Sequence, residues 1–227
     1  VINATFLNAE GNTLYAHELS GDDSINPGNC TNVTLKENLP PRELTNIVTN
    51  DTFFRFFDEN GMLLDTIEFD ELIFQGEFSD LVDTIIISDE ITLTSDNAVL
   101  NNIALYITGD DVTVNGFTLN ENDANFTNNG GAALYVSGSD VTLDNVSVTY
   151  NAPSEVEAKA IFANGAENFA LINSEIIFTG ANPGSNHYRG LEVRNSNAAK
   201  IDNNTISAVL PAVAVDWAGS GIGQDLV

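Results

Sequence analysis

The chain has 227 residues, which suffices for one domain or a small pair, and its 43% hydrophobic residues can form a continuous core. It carries 7 Lys and Arg against 33 Asp and Glu, a formal net charge of −26. Nucleic acid and anionic membranes are therefore poor partners, because binding phosphate needs clustered cations. The single cysteine, Cys30, cannot form an internal disulfide, and the absence of a run of about 18 apolar residues argues against direct membrane insertion.

Residues 1–38 form a compositional zone of their own. Residues 4–15 alternate like two short strands around a turn, and turn-forming residues follow at 21–29. We predict an N-terminal β-strand cap, with an arm that pairs with a neighbouring chain as the alternative. Because the chain starts at Val1 and not at Met, we also expect it to be cut from a longer protein.

Residues 39–80 are predicted to be an aromatic capping segment followed by the first strand of the repeated region. Pro40-Pro41 breaks the chain, residues 42–48 have weak helical spacing, and residues 50–52 are a candidate N-cap. The short helix predicted to follow carries four phenylalanines: Phe53, Phe54, Phe56 and Phe57. Four such side chains should not be left exposed, so we expect them to cover the open end of a solenoid. The alternative is an aromatic platform for a ligand.

Residues 81–227 are predicted to contain a repeat. Residues 104–119 recur as residues 133–148, and shorter copies follow at 169–176 and 199–206. The copies align in three columns: Val114, Leu143, Leu171 and Ile201; Leu119, Val148, Ile176 and Ile206; and Gly116, Asn145, Asn173 and Asn203. Alternating apolar residues in short runs rich in Thr, Val and Ile indicate strands, and a repeat of about 20–50 residues indicates a solenoid. The predicted fold is an all-β, right-handed parallel β-helix with an N-terminal cap that contains short helical segments.

Two further expectations follow from this alignment. Asn145, Asn173 and Asn203 share one position of successive coils, which predicts a ladder in which each amide bonds to the next. The stretches at 120–131, 151–159 and 179–190 are long and polar, which predicts loops, where solenoids commonly carry their binding groups.

The order of these segments resembles a known family. Residues 52–61, with their phenylalanines, are followed by 70–78, by Ile91-Thr92-Leu93, and by the Gly-Asp-Asp-Val-Thr-Val-Asn-Gly-Phe-Thr-Leu stretch at 109–119. This pattern is similar to the adhesin-like surface proteins of archaeal methanogens, over about residues 50–210. The resemblance implies a secreted protein with a pectate-lyase-type right-handed β-helix, located extracellularly at the cell surface and adhesive or wall-associated in role. Residues 1–38 match no family in this way.

The same fold hosts enzymes that cleave acidic polysaccharides, so the fold alone does not decide between binding and catalysis. Such enzymes need convergent carboxylates with an Arg, Lys or His, and the sequence has neither a Gly-His-Gly nor an Arg-x-Lys motif. His and two cations converge in one place, which makes a candidate ligand-binding site of His187, Tyr188, Arg189, Glu192 and Arg194. In this interpretation Arg189 and Arg194 hold an acidic sugar, with Glu192 beside them. The alternative is a solvated loop and strand edge.

The sequence therefore predicts a non-catalytic, adhesin-like module that attaches to cells, glycans or cell-wall material. The alternatives are a polysaccharide lyase or hydrolase, and a structural spacer or filament subunit. The expected partner is a glycan or protein on another cell, or a neighbouring copy of the chain. No cofactor or metal site is predicted, although calcium remains open. Candidate glycosylation sites are Asn125, Asn32 and Asn3, with Asn125 preferred because it lies in a long predicted loop.

Overall fold

The structure is a computed structural model that describes residues 45–122, 126, 128–152, 157–179, 188–208 and 213–218; for residues 188 and 213–218 it describes the backbone only. The chain divides between Thr45 and Asn46, and nearly all described residues belong to the second unit, Asn46–Val227. The cap predicted at residues 1–38 lies outside the described residues. The described part of the aromatic segment belongs to the same unit as the later strands.

The described residues contain 17 strands. The first nine are Ile47–Val48 (β1), Glu71–Phe78 (β2), Thr84–Ile87 (β3), Thr92–Asn101 (β4), Ala104–Ile107 (β5), Thr113–Asn115 (β6), Thr118–Asn122 (β7), Ala132–Val136 (β8) and Thr142–Asp144 (β9). The others are Ser147–Asn151 (β10), Ala158–Asn164 (β11), Ala170–Ile172 (β12), Glu175–Thr179 (β13), Tyr188–Arg194 (β14), Lys200–Asp202 (β15), Thr205–Ala208 (β16) and Val213–Ala218 (β17). Helix is limited, among these residues, to one 3-10 turn at Phe53–Arg55.

The strands form two sheets, and every pairing between named strands is parallel. The six-stranded sheet has the order β17-β14-β11-β8-β5-β3. The main path of the eleven-stranded sheet is β15-β12-β9-β6-β4-β7-β10-β13-β16, with β2 on β4 and β1 on β2. The ten-residue β4 joins both arms of this path, because its start pairs with β6 and its end with β7. The predicted all-β fold with parallel sheets is confirmed at this level.

The strand pairings confirm the predicted apolar columns. Val114 lies beside Leu143, which lies beside Leu171, and Leu171 lies beside Ile201. The second column, which begins at Leu119, pairs in the same manner. Most of these side chains are fully buried, while the residues between them face the other side of the strand. Burying such a side chain contributes about 1.5–3 kcal/mol, so the repeated columns form the core that stabilises the stack.

The third predicted column is explained by its backbone. Gly116, Asn145, Asn173 and Asn203 all have positive φ, between 52° and 79°. Glycine adopts this left-handed conformation freely, and asparagine does so more readily than most other residues. The first three also donate their backbone N–H to a carbonyl of the following repeat, at 3.0–3.1 Å. The column therefore marks a recurring left-handed turn between two strands.

The aromatic segment differs from its prediction in several respects. The helix is a single 3-10 turn, and Thr52 does not cap it with its side chain; its Oγ1 accepts the backbone N–H of Thr49 at 2.8 Å instead. Upstream, Ile47–Val48 is a strand and not a helix, because it pairs with β2.

Three of the four phenylalanines are buried, and one is not. Phe53 stacks on Phe57 with ring centroids 4.7 Å apart, and Phe57 lies 6.0 Å from Phe74 of β2. Phe56 is also buried, whereas Phe54 is 54% exposed. The expectation that all four would be covered is wrong for Phe54, because successive residues of a tight turn point in different directions. Their role in capping the end of a solenoid remains a prediction.

Candidate functional site

In one column of the six-stranded sheet, the type of side chain changes from strand to strand. Ile86 lies beside Tyr106, Tyr106 beside Tyr135, Tyr135 beside Phe162, and Phe162 beside Glu192. The rings of Tyr106, Tyr135 and Phe162 meet edge to face, with successive centroids 5.7 Å apart. We call these five residues the aromatic column. Edge-to-face pairs contribute beyond their buried area, so the column is a rigid element.

A charged cluster lies at the Glu192 end of the aromatic column. Lys159 Nζ is 2.5 Å from Glu157 Oε1 and 3.4 Å from Glu192 Oε2, and Arg194 Nε forms an ion pair with Glu192 Oε1. The Lys159 and Glu192 side chains are only 2% and 1% exposed, and Lys159 Nζ lies 4.8 Å from the centre of the Phe162 ring. Buried charges require such pairing, because an isolated one would be strongly destabilising.

The cluster also fixes a neighbouring turn. Lys159 Nζ donates a 2.9 Å hydrogen bond to the carbonyl of Gly130, which has a φ of 68°. A Cβ at Gly131 would collide with the carbonyl of Glu157, and one at Gly130 would come within 2.6 Å of Lys159 Nζ. Gly131 is therefore required both by its conformation and by close packing against backbone, whereas Gly130 is required by its conformation, since the Lys159 amine is the end of a flexible side chain.

The predicted acidic-sugar residues lie partly in this cluster. His187 lies outside the described residues, and Tyr188 begins β14, where only the backbone is described. Arg189 is half-buried and lies beside Lys159 in the strand register. Glu192 is buried, while the Arg194 side chain is 44% exposed and bound to Glu192. Whether these residues hold a sugar remains a prediction.

The sequence analysis did not identify Lys159 as a functional residue. It placed residues 151–159 in a loop, but β11 already begins at Ala158. The charges of Glu157 and Lys159 suggested that both side chains face solvent. In the structure the two side chains instead form an ion pair at the start of β11. Alternation does not mark this strand, since every residue from Ala158 to Ala163 is buried.

The predicted amide ladder is present for one hydrogen bond, and the next bond is made to a residue other than the predicted one. Asn203 Nδ2 donates to Asn173 Oδ1 at 2.7 Å, but Asn173 Nδ2 donates at 2.8 Å to Asp144 Oδ1, not to Asn145. A carboxylate is the stronger acceptor, which favours this choice. We call Asp144, Asn173 and Asn203 the first amide row. Its two asparagines are exposed and Asp144 is half-buried, so the row lies on the surface of the stack and not in its interior.

A second amide row runs along the other arm of the same sheet. Asn151 Nδ2 donates to Asn122 Oδ1 at 3.0 Å, and Thr179 Oγ1 donates to Asn151 Oδ1 at 3.3 Å. The backbone N–H of Asn122 also donates to Asn102 Oδ1 at 2.8 Å. The sequence analysis placed Asn122 in a loop, so it did not predict this row.

Glu121 is a buried acid in β7 of the eleven-stranded sheet. It is 1% exposed and occupies the position that Tyr150 and Phe178 fill in the next two strands. Neither carboxyl oxygen has a hydrogen-bond partner among the described residues. Burial raises the pKa of Glu121 to about 8, although the nearby backbone N–H of Ile103 partly offsets this effect. Glu121 is therefore mainly protonated at neutral pH.

The remaining predictions concern glycosylation, metal binding and membrane insertion. The glycosylation candidates Asn3, Asn32 and Asn125 lie outside the described residues. Within the described residues, no group of three or more His, Cys, Asp or Glu is arranged to hold a metal ion. No helix in that part of the chain is both long and apolar enough to cross a membrane.

Comparison with known proteins gives no assignment: no protein-family model matches the chain, and it has no significant match among curated proteins or solved structures.

Proposed function

We propose that this chain is a right-handed parallel β-helix and that it acts as a non-catalytic attachment module, extracellular and at the cell surface, which binds glycan or cell-wall material. The winding is supported by the strand register. From β5 to β14, each strand of the six-stranded sheet is followed along the chain by two strands of the eleven-stranded sheet, and each strand pairs in parallel with strands of adjacent repeats. Parallel neighbours need crossover connections, which here are supplied by the strands of the other sheet or the other arm.

The observation that carries the attachment role is the pair of amide rows. They line up Asn, Asp and Thr side chains of successive repeats, each at the end of a strand or at the residue just after it. Successive repeats lie about 4.8 Å apart, and neighbouring side chains are joined by hydrogen bonds. Amides, carboxylates and hydroxyls are suited to binding sugar hydroxyls. Because the rows are held by the sheet, little conformational freedom is lost on binding, which favours an extended polymer as ligand.

The charged cluster supports binding more than cleavage. A hydrolase or lyase needs carboxylates and a cation that are available to the substrate. In the described structure Glu192 is buried and paired with both Lys159 and Arg194, so its charge is already balanced within the protein. This pairing fits a structural use of the cluster, with Arg194 partly exposed at its edge.

The proposal is tested by retention on a panel of insoluble polysaccharides, with and without calcium, with new chain ends measured in the same samples. We expect retention without new chain ends. Replacing Asn151 and Asn173 together with alanine should reduce retention, while Glu167→Gln, an exposed change outside both rows, should not.

New chain ends would contradict the proposal and favour the lyase or hydrolase. Neither retention nor cleavage would also contradict it, and would favour a structural spacer in which the amide rows stiffen the stack.

A further inference from the structure

A cleft of about 690 Å³ lies where the aromatic column meets two turns. Its walls are the turn at 58–62, the start of β3 with the residues before it, and the turn at 128–131, and Tyr106 contributes to its lining. This volume falls within the range of about 300–1,000 Å³ that is usual for small-molecule sites. None of its lining residues belongs to an amide row, and it shares the 128–131 turn with the charged cluster, whose Lys159 donates to the carbonyl of Gly130.

The first wall is held by Asp58. Its Oδ1 accepts the backbone N–H groups of Asn60 and Met62 at 2.9 and 2.8 Å, and these bonds lower the pKa of Asp58, chiefly through Met62. Gly61 follows with a φ of 76°, and a Cβ there would collide with the carbonyl of Thr84 in β3. This turn therefore has a fixed shape and lies close against the sheet.

The second wall is held by Tyr106. Its hydroxyl donates to the carbonyl of Asn128 at 3.2 Å, and the same carbonyl accepts the backbone N–H of Gly131 at 3.0 Å. Burial raises the pKa of Tyr106 to about 12, so the hydroxyl keeps its proton and remains a donor. Asn129, Gly130 and Gly131 all have left-handed φ values, between 48° and 72°. Both walls are thus shaped before any ligand arrives, which lowers the entropic cost of binding.

The lining combines hydrogen-bonding groups with a small apolar surface. Glu59 and Asp83 are exposed at the cleft, and among the described residues neither side chain has a hydrogen bond or ion pair. Amides are supplied by Asn60, Asn128 and Asn129, and apolar surface comes mainly from Leu81, Val82, Ile86 and the Tyr106 ring. No Lys, Arg or His belongs to the described lining.

This combination matches one class of ligand. A sugar ring presents hydroxyl donors at its rim and C–H groups on its faces, which suit acceptor carboxylates and amides around an apolar patch. A uronic acid would instead place its carboxylate near two acids in a chain of net charge −26. We propose that the cleft binds a sugar unit that carries no negative charge, and that an added amino group strengthens binding. This inference rests on the proposed glycan-binding function and names a site and sugar class for it.

The test is isothermal titration calorimetry of the whole chain with three soluble tetrasaccharides at about 0.15 M salt, where charges more than about 8 Å apart are largely screened. The probes are chitotetraose without acetyl groups, its fully N-acetylated form, and tetragalacturonic acid. We expect the amine-bearing probe to bind best, the N-acetylated probe to bind more weakly, and the acidic probe to bind least. The double variant Glu59→Gln, Asp83→Asn should weaken binding of the amine-bearing probe about 2- to 30-fold, since each exposed charge pair contributes modestly.

The matched control is Glu167→Gln with Glu175→Gln, which makes the same change in net charge at two exposed acids away from the cleft. This control should leave all three affinities within about twofold of the unmodified chain. An equal loss of affinity for the amine-bearing probe in both double variants would overturn the proposed site, because the loss would then reflect only long-range attraction between the probe and the negatively charged chain. Equal or stronger binding of tetragalacturonic acid would overturn it as well.

The polysaccharide panel separates failure of the cleft from failure of the proposed function. Retention of polysaccharide by the unmodified chain, together with no effect of the cleft variants on any probe, would overturn the cleft and leave the attachment role standing. A chain that retains no polysaccharide and binds no probe would overturn both.

Discussion

Two columns, one in each sheet, follow a similar step from strand to strand but are filled differently. In the eleven-stranded sheet, the column from Val114 to Ile201 keeps one kind of side chain throughout. In the six-stranded sheet, the aromatic column passes from an aliphatic residue through three rings to a buried acid at Glu192. A uniform column stabilises each strand with the same packing as its neighbour. A column that changes requires partners from outside the column, and here they include Lys159 and the carbonyl of Asn128.

This difference separates what the stack needs for folding from what is particular to this chain. Aliphatic columns can be exchanged among hydrophobic residues of similar volume at little cost. A buried charge cannot, because its stability depends on one partner at one distance. The largest effects of substitution are therefore expected where a column departs from the uniform pattern.

The largest expected effect comes from Lys159. Replacing it with methionine keeps a side chain of similar length but removes the cation, which leaves Glu192 buried with Arg194 alone. We expect the free energy of unfolding to fall by about 3–5 kcal/mol, as for other broken buried ion pairs. Denaturant unfolding at neutral pH measures it. The matched double variant Lys159→Met, Glu192→Gln should recover part of the loss, and a loss below about 1 kcal/mol would mean that the pair behaves as if exposed.

The second expected effect concerns Glu121, an acid at a position filled by rings in the next two strands. Its pKa of about 8 in the folded chain is above the unfolded value of 4.5. The folded chain therefore binds one more proton between these values, and its stability falls as pH rises through that window, at about 1.4 kcal/mol per pH unit. The contribution is fully present below pH 4.5 and is not lost further above pH 8.

Glu121→Gln isolates this contribution from the other acids. Because glutamine does not titrate, the variant should be more stable than the unmodified chain by about 2–3 kcal/mol at pH 7, with a much smaller difference at about pH 5. Thermal or denaturant unfolding across this range measures the difference, and Glu175→Gln, an exposed acid on β13, serves as the control. A constant difference between Glu121→Gln and the unmodified chain at all pH values would contradict a buried, protonated Glu121.

The smallest expected effect is at Asn173, in the first amide row. Alanine there loses two exposed side-chain hydrogen bonds and must adopt a φ of 54°, so we expect a loss of about 1 kcal/mol. Glycine adopts this φ freely and should cost less than alanine. Thermal unfolding of both variants measures the two effects. Equal losses would show that the amide bonds matter and the backbone conformation does not.

The sequence predicted the columns well because alternation and repetition report directly on strand register. Val114, Leu143, Leu171 and Ile201 were aligned by their repeated neighbours, and the strands pair them in that alignment. The same signal could not locate Lys159 or Glu121, because polarity near the end of a strand suggests a loop. Nor could it show that Asn173 bonds to Asp144 and not to Asn145. The repeat predicts which residues hold equivalent positions in successive repeats, but it does not predict the rotamers of their side chains.

The amide rows also have a direction. In the first row each bond runs from the amide nitrogen of a later repeat to an oxygen of an earlier one, and it ends at Asp144, which can only accept when ionised. Asn168 donates to Asp140 in the same sense at 2.9 Å. The Asn173 side chain both donates and accepts a hydrogen bond within the row. A further copy of its repeat could therefore be inserted without breaking any hydrogen bond of the row. A copy of the Asp144 repeat would also carry Asn145, which holds the same repeat position as Asn173, so duplication there would supply the amide donor that Asp144 accepts.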